Sequence, residues 1–299
     1  MYFKNFQYWI SFVQYEVIYY LLSRNSSRGM RGKSINLTVV VVVTVMQLCG
    51  CQAHNSSNKL LDAKQQLAKQ GVQLNEEQFL RAIKRGDPES VNLFLAAGIN
   101  PNAKDVKGSP ALIVAIEGGH QAIAETLLLN GADIKSRDNI QGGTPLMYAA
   151  FVGNIRIMSQ LLDKGSEIEA RNNLGETALM KAAFGGQPDA IAFLLDRSAD
   201  INAKDHDGDT ALINAIFSGN QKAMELLINR GIDINTEDSN GVTPLWLAVD
   251  RGHSEAVKLL IARGAKLQVR GEFGLTPLAI AKRNNRKEIV RILIDAGAK

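Results

Sequence analysis

Thr243-Pro244-Leu245-Trp246-Leu247-Ala248-Val249 is a short apolar run with punctuation at both ends. Threonine caps a helix start, and proline suits the first helical turn because its missing N–H would be unpaired there anyway. Gly252, just past the run, supplies a left-handed C-cap. Ala256, Leu259 and Leu260 follow at helical spacing, so a second helix begins directly after the first.

The same sentence is written several times. Thr144-Pro145-Leu146-Met147-Tyr148-Ala149-Ala150 is another copy, and Ala223, Leu226 and Leu227 belong to another second helix. Gly108, Gly142, Gly175, Gly208, Gly241 and Gly274 precede the runs at intervals of 34, 33, 33, 33 and 33 residues. Gly119, Gly153, Gly186, Gly219 and Gly252 keep a second beat, with Asn285 in the last copy. Gly131, Gly165, Gly231, Gly264 and Gly297 keep a third, with Ser198 in the fourth. A fixed period of this size marks stacked repeats, in which no unit buries its apolar face alone. Each unit is turn, helix, turn, helix. The turns carry Asp-Gly, as at Asp207-Gly208, where glycine accepts positive φ.

The unit resembles the ankyrin repeat, whose pattern runs Gly-x-Thr-Pro-Leu-His-x-Ala-Ala, then Gly-His, Leu-Leu and Gly-Ala. Six copies match from about Asp105 to Lys299, and a weaker one precedes them with Gly86 and Gly98 in phase. The expected fold is an all-α repeat solenoid of stacked helix-turn-helix units with short β-hairpin-like tips. The repeat domain is set at 75–299, divided as 75–104, 105–138, 139–171, 172–204, 205–237, 238–270 and 271–299. Residues 51–74 are read as a tether and an N-terminal capping helix ending near Gly71.

Three departures stand out. The histidine after Thr-Pro-Leu is replaced by Ile113, Met147, Met180, Ile213, Trp246 and Ala279, so apolar contact is expected in place of the family's hydrogen bond. Pro110-Ala111 stands for Thr-Pro. One extra residue lies between Asp138 and Gly142, which predicts a bulged or longer tip.

Met30-Arg31-Gly32-Lys33 and the apolar stretch from Ile35 to Met46 read as a signal peptide over 30–50. Leu48-Cys49-Gly50-Cys51 resembles a bacterial lipobox, with Cys49 departing from the usual Ala, Ser or Thr at minus two. By that resemblance Cys51 is acylated, and Gln52 after it favours the outer membrane over the inner. The alternative is an uncleaved membrane anchor, although the apolar core is shorter than the roughly 20 residues that span a bilayer. A Cys49–Cys51 disulfide would close only a small strained ring. Residues 1–29 are an upstream extension rich in Phe, Tyr and Trp. They suggest that translation starts at Met30, or else that a second membrane-seeking segment is present.

The formal net charge is +4. Lys4, Arg24, Arg28, Arg31 and Lys33 against Glu16 account for all of it, which leaves residues 51–299 neutral. A neutral repeat domain has no general pull on phosphate backbones, so no nucleic-acid partner is expected. Both cysteines, Cys49 and Cys51, precede the repeats, excluding a disulfide framework or a zinc site within them. His54, His120, His206 and His253 show no metal-site spacing. No nucleophile elbow or phosphate loop occurs. No cofactor, metal or catalytic residue is expected, and the chain is read as a non-enzyme.

In ankyrin-like stacks the tips and the exposed side of the first helices form the binding face. The equivalent positions there are Glu117, Phe151, Phe184, Phe217, Asp250 and Arg283. Three consecutive phenylalanines predict an aromatic stripe bordered by charge; the competing reading is that the rings fill gaps between helices. Tip residues His206, Asp207 and Asn240, with Gln141 and Leu174, vary from copy to copy and suit recognition. The expectation is a monomeric, lipid-anchored scaffold at the bacterial envelope, facing the periplasm and binding partner proteins. An inhibitor or immunity-type regulator of a partner enzyme is the alternative.

Overall fold

A computed structural model describes residues 58–299. The leader, the lipobox and Cys51 lie outside the described residues. Residues 58–69 are helical, and Ala63 and Leu67 are buried against the first repeat. Seven helix pairs follow: Glu76–Arg85 with Pro88–Ala96, Ala111–Glu117 with Gln121–Leu129, Pro145–Val152 with Ile155–Asp163, and Ala178–Phe184 with Pro188–Asp196. Then come Ala211–Ser218 with Gln221–Asn229, Pro244–Arg251 with Ser254–Ala262, and Pro277–Arg283 with Lys287–Asp295. We call the first member of each pair the inner helix and the second the outer helix.

The punctuation read from the sequence is what bounds these helices. The Thr144, Thr243 and Thr276 hydroxyls accept the backbone N–H three residues on, at 3.3–3.4 Å, and a proline follows each. Gly153, Gly219 and Gly252 close inner helices at φ between 69° and 79°. Where glycine is missing from that beat or the next, the backbone turns left regardless: Asn285 has φ 55° and Ser198 φ 67°. Asparagine tolerates this conformation; serine is held in it by its neighbours. Thr210 is the exception among the threonines at these positions, since its buried hydroxyl meets no hydrogen-bond partner.

The repeats stack in chain order. Each inner helix packs on its own outer helix and on the inner helices before and after it, and the outer helices do the same. All substantially packed helix pairs lie within a repeat or between adjacent repeats. One apolar interior therefore runs the length of the stack, from Ala63 to Ala298. Inner helices are buried almost all round, as from Ala111 to Ile116, whereas an outer helix such as Ile155–Asp163 buries only one stripe, Ile157, Met158 and Leu161. Small residues permit the close approach. A methyl on Gly185 would collide with the Phe151 carbonyl of the preceding inner helix.

Side chains from one repeat also occupy the space left by glycines of the previous one. His120 lies over Gly86, Gln187 over Gly153, His253 over Gly219 and Arg286 over Gly252, each where an added Cβ would stand 2.6–3.2 Å away. His120 and His253 sit at the N-cap of outer helices without capping them. Their role is packing across the repeat boundary, not capping.

The tips are turns and not paired strands. Among the described residues the single bridge is Lys104 with Pro110. All but the last tip are instead tied by an Asp or Asn side chain that folds back on its own backbone. Asp205 Oδ1 accepts from the Asp207 and Asp209 N–H groups, and Asp105, Asn172 and Asp238 do the equivalent. In five tips the closing backbone bond spans four residues. From Asp138 to Gly143 it spans five, which is the extra residue of the 34-residue interval accommodated as a bulge. Neighbouring tips are linked by backbone bonds: Asn173 N–H to Gln141 O, His206 N–H to Leu174 O, and Ser239 N–H to Asp207 O, at 2.8–3.0 Å.

Candidate interaction face

The stacked inner helices bring their equivalent ends to one side. Glu117, Phe151, Phe184, Phe217, Asp250 and Arg283 each stand at or one residue before the end of an inner helix. The phenylalanines keep 40%, 47% and 39% of their surface exposed. Phe151 and Phe184 stack with ring centres 6.3 Å apart and planes 25° apart. Phe217 does not continue the stack. The Arg251 guanidinium lies over its ring at 4.7 Å from the centre. The rings are thus half-packed and half-open, and the two readings of the sequence each describe part of them.

Beyond the rings the face is polar. Asp250 accepts from Asn284 Nδ2 at 2.9 Å, and the Arg283 guanidinium lies 5.7 Å from the ring centre of Phe273 on the last tip. His206, Asp207 and Asn240 are exposed on their tips. His206 rests against Gly175 of the previous tip, where a Cβ would stand 2.6 Å from its ring.

A cavity of about 320 Å³ opens between the second and fourth repeats. Its lining includes Glu117, Gln141, Tyr148, Phe151, Lys181 and Phe184. Gln141 comes from the bulged tip, so the extra residue of that repeat shapes the wall. Asp138 lies behind Tyr148 and is buried; its carboxylate accepts the N–H groups of Ile140, Gln141 and Gly143 at 2.6–2.8 Å. Despite its burial these bonds hold the Asp138 carboxyl below the ordinary carboxylate range. Burial, with the Asp138 and Glu117 charges, raises the Tyr148 phenol well above its ordinary value, so it stays protonated. Lys181 is neutralised by Glu176 at 2.7 Å in a largely buried pair.

Sequence reading found the phenylalanines and Glu117 by their period but passed over Asp138, Lys181 and Arg251. The doubled Gly142-Gly143 was the available signal: a methyl on Gly143 would stand 2.9 Å from both Asp138 Oδ2 and the Tyr148 ring. Among the described residues no three His, Cys, Asp or Glu side chains converge as a metal site, and no helix is long and apolar enough to cross a membrane.

A family model for ankyrin repeats (3 copies) matches residues 79–172, 146–238 and 235–299. Among curated proteins, an ankyrin repeat-containing protein of Treponema pallidum (strain Nichols) is 33% identical over 39% of this chain and 39% of its own length. The ankyrin repeat and SAM domain-containing protein 6 of Mus musculus is 30% identical over 36% of this chain and 11% of its own. An E3 ubiquitin-protein ligase of Arabidopsis thaliana is 32% identical over 32% of this chain and 19% of its own. The chain spans about two fifths or less of the length of these relatives.

Proposed function

The chain belongs to the ankyrin-repeat family, and on that premise we propose that it is a non-catalytic, monomeric scaffold that binds partner proteins across its inner-helix face. The observation that carries this reading is the half-open row of Phe151, Phe184 and Phe217 at equivalent positions of three consecutive repeats. Large rings cost burial energy when left in water, and an exposed apolar patch with a polar rim marks an interaction surface. Here the rim is Glu117, Asp250, Arg283 and the tip residues His206, Asp207 and Asn240. The site supplies shape and charge; no bond is made or broken.

We place this face at the bacterial envelope, directed to the periplasm, by lipid on Cys51; the support is the lipobox-like Leu48-Cys49-Gly50-Cys51. Cell crosslinking with mass-spectrometric identification tests the scaffold. Wild type should capture defined partners, and the Phe151→Ser/Phe184→Ser/Phe217→Ser variant should lose them while melting within a few degrees of wild type. Unchanged capture, or a collapsed fold, would reject the face. Metabolic labelling with an alkyne-palmitate should mark wild type and leave Cys51→Ser blank.

A further inference from the structure

The cavity beside Phe151 and Phe184 has a carboxylate that no side chain pairs with directly. Among the described residues Glu117 forms no ion pair and no side-chain hydrogen bond, although it stands in the cavity wall. The one cation on the lining, Lys181, is already taken by Glu176, and Asp138 adds a second negative charge behind the Tyr148 ring. Desolvation at the cavity wall, then the charges of Asp138 and Asp105, outweigh the more weakly acting Lys107 and Lys84 and hold the carboxyl of the solvent-facing Glu117 above the ordinary carboxylate range. It is a carboxylate without a cation in direct contact.

The chain itself shows what such a surface accepts. Phe217 carries the Arg251 guanidinium, supplied by the following repeat 34 residues later. Phe193 carries Arg197 at 4.9 Å on the outer side, and Phe273 carries Arg283. The residues equivalent to Arg251 in the two preceding repeats are Gly185 and Ser218, which have no cation to offer. The stacked Phe151–Phe184 pair therefore keeps its exposed ring surface free of any cation, next to an unpaired carboxylate. Gly185 cannot grow a side chain without striking the Phe151 carbonyl, so the chain cannot fill this place from within.

We propose that this cavity is the specificity pocket for a basic segment of the partner protein, with one arginine or lysine head seated between Glu117 and the Phe151–Phe184 pair. This rests on the reading that the inner-helix face binds protein, and it names the partner chemistry. The aromatic faces attract the cation through their quadrupole and the carboxylate supplies the Coulomb partner. A lysine and an arginine both fit the charge; the planar guanidinium also stacks on a ring. A cavity of about 320 Å³ has room for such a side chain and its stem.

The test uses the full chain and a random-peptide display library, selected in parallel on wild type and on Glu117→Gln. The best peptide from wild type is synthesised twice, once as found and once with arginine replaced by neutral citrulline and lysine by acetyl-lysine. Binding is followed by fluorescence anisotropy. The proposal expects Arg- or Lys-bearing peptides from wild type, an affinity lowered about tenfold by Glu117→Gln or by the neutral replacement, and little further loss when both are combined. Selection of neutral or acidic peptides, no selection at all, or a neutral replacement costing the same in both proteins would overturn it. A Phe151→Ser/Phe184→Ser variant separates the two levels. Peptides that need the rings but ignore Glu117 sink the cation pocket alone; cellular partners that ignore the rings sink the scaffold face with it.

Discussion

Asp209 shows how one side chain on a tip can work against the fold. It is half-buried and surrounded by its own sign: burial first, then the Asp205, Asp238, Asp207 and Glu176 charges, push its carboxyl up from 3.8 to about 6. Between those two pH values the unfolded chain has released this proton and the folded chain still holds it. Stability from this group is thus fully present below pH 3.8 and is lost as pH rises through about 6. Asp209→Asn removes the penalty while keeping the backbone N–H that Asp205 accepts. Its melting temperature should match wild type near pH 4 and exceed it at pH 7, with the difference growing across the window between. Equal melting at pH 7 would contradict the assignment. Because Asp87, Asp105 and Asp138 titrate lower and are common to both proteins, the comparison cancels them. Trp246 marks the limit of reading single residues from the chain. Its position in the repeat predicts an apolar substitute for histidine, yet its indole Nε1 donates to the Leu275 carbonyl at 2.8 Å. The Asp or Asn that ties the other tips is here Gly271, since a Cβ would stand 2.9 Å from the indole. The period reveals both exceptions, but only packing shows that one requires the other.

At the scale of the element, the outer turns form a ladder that is broken between the second and third repeats. Asn102 Oδ1 accepts the Asp133 N–H, Glu169 Oε1 the Asp200 N–H, Asn202 Oδ1 the Asp233 N–H, and Asn235 Oδ1 the Lys266 N–H, all at 2.7–2.9 Å. The equivalent residue between the second and third repeats is Lys135, which has donors only and cannot accept the Glu167 N–H. It makes instead an exposed 3.8 Å contact with Glu167, a pair worth little. A cavity of about 230 Å³ lies beside this place. Lys135→Asn should restore the rung and raise stability by about 0.5–1 kcal/mol, the net value of one such hydrogen bond. Urea denaturation of the two proteins measures it; no gain would mean that water already serves that N–H equally well. The helices and their caps were legible because Thr-Pro and glycine act within a few residues. The bulge after Asp138 was legible from spacing. The tips were read as hairpin-like, and the Asx bonds of Asp105, Asp138, Asn172, Asp205 and Asp238 take the place of strand pairing. Likewise the row of phenylalanines followed from the period, but the guanidinium over Phe217 comes from Arg251, 34 residues away, which no local pattern announces.

For the whole repeat domain, contact between neighbours alone has a mechanical consequence. A compact domain shares every local loss over its entire structure, because distant segments meet in one core. In this stack the third repeat touches the second and fourth, and its influence on the sixth must pass through two intervening repeats. Stability is then close to a sum of unit and interface contributions, and a large local loss can uncouple one end from the other. Leu161 is fully buried in the outer helix of the third repeat, and Leu161→Ala should cost about 2–5 kcal/mol there. Trp246, buried in the sixth repeat, is an optical reporter of the far end once the other tryptophan, Trp9, is replaced by phenylalanine. In urea, the Leu161→Ala protein should lose helical circular dichroism in a broadened transition with a lowered midpoint. The Trp246 fluorescence midpoint should stay nearly where it was. Leu260→Ala, buried in the outer helix of the sixth repeat itself, should move the fluorescence midpoint strongly. If Leu161→Ala shifts both signals together by the same amount, the stack folds as one indivisible unit, and rigid display of the phenylalanine row would owe its stiffness to long-range cooperativity instead of to the neighbour contacts described here.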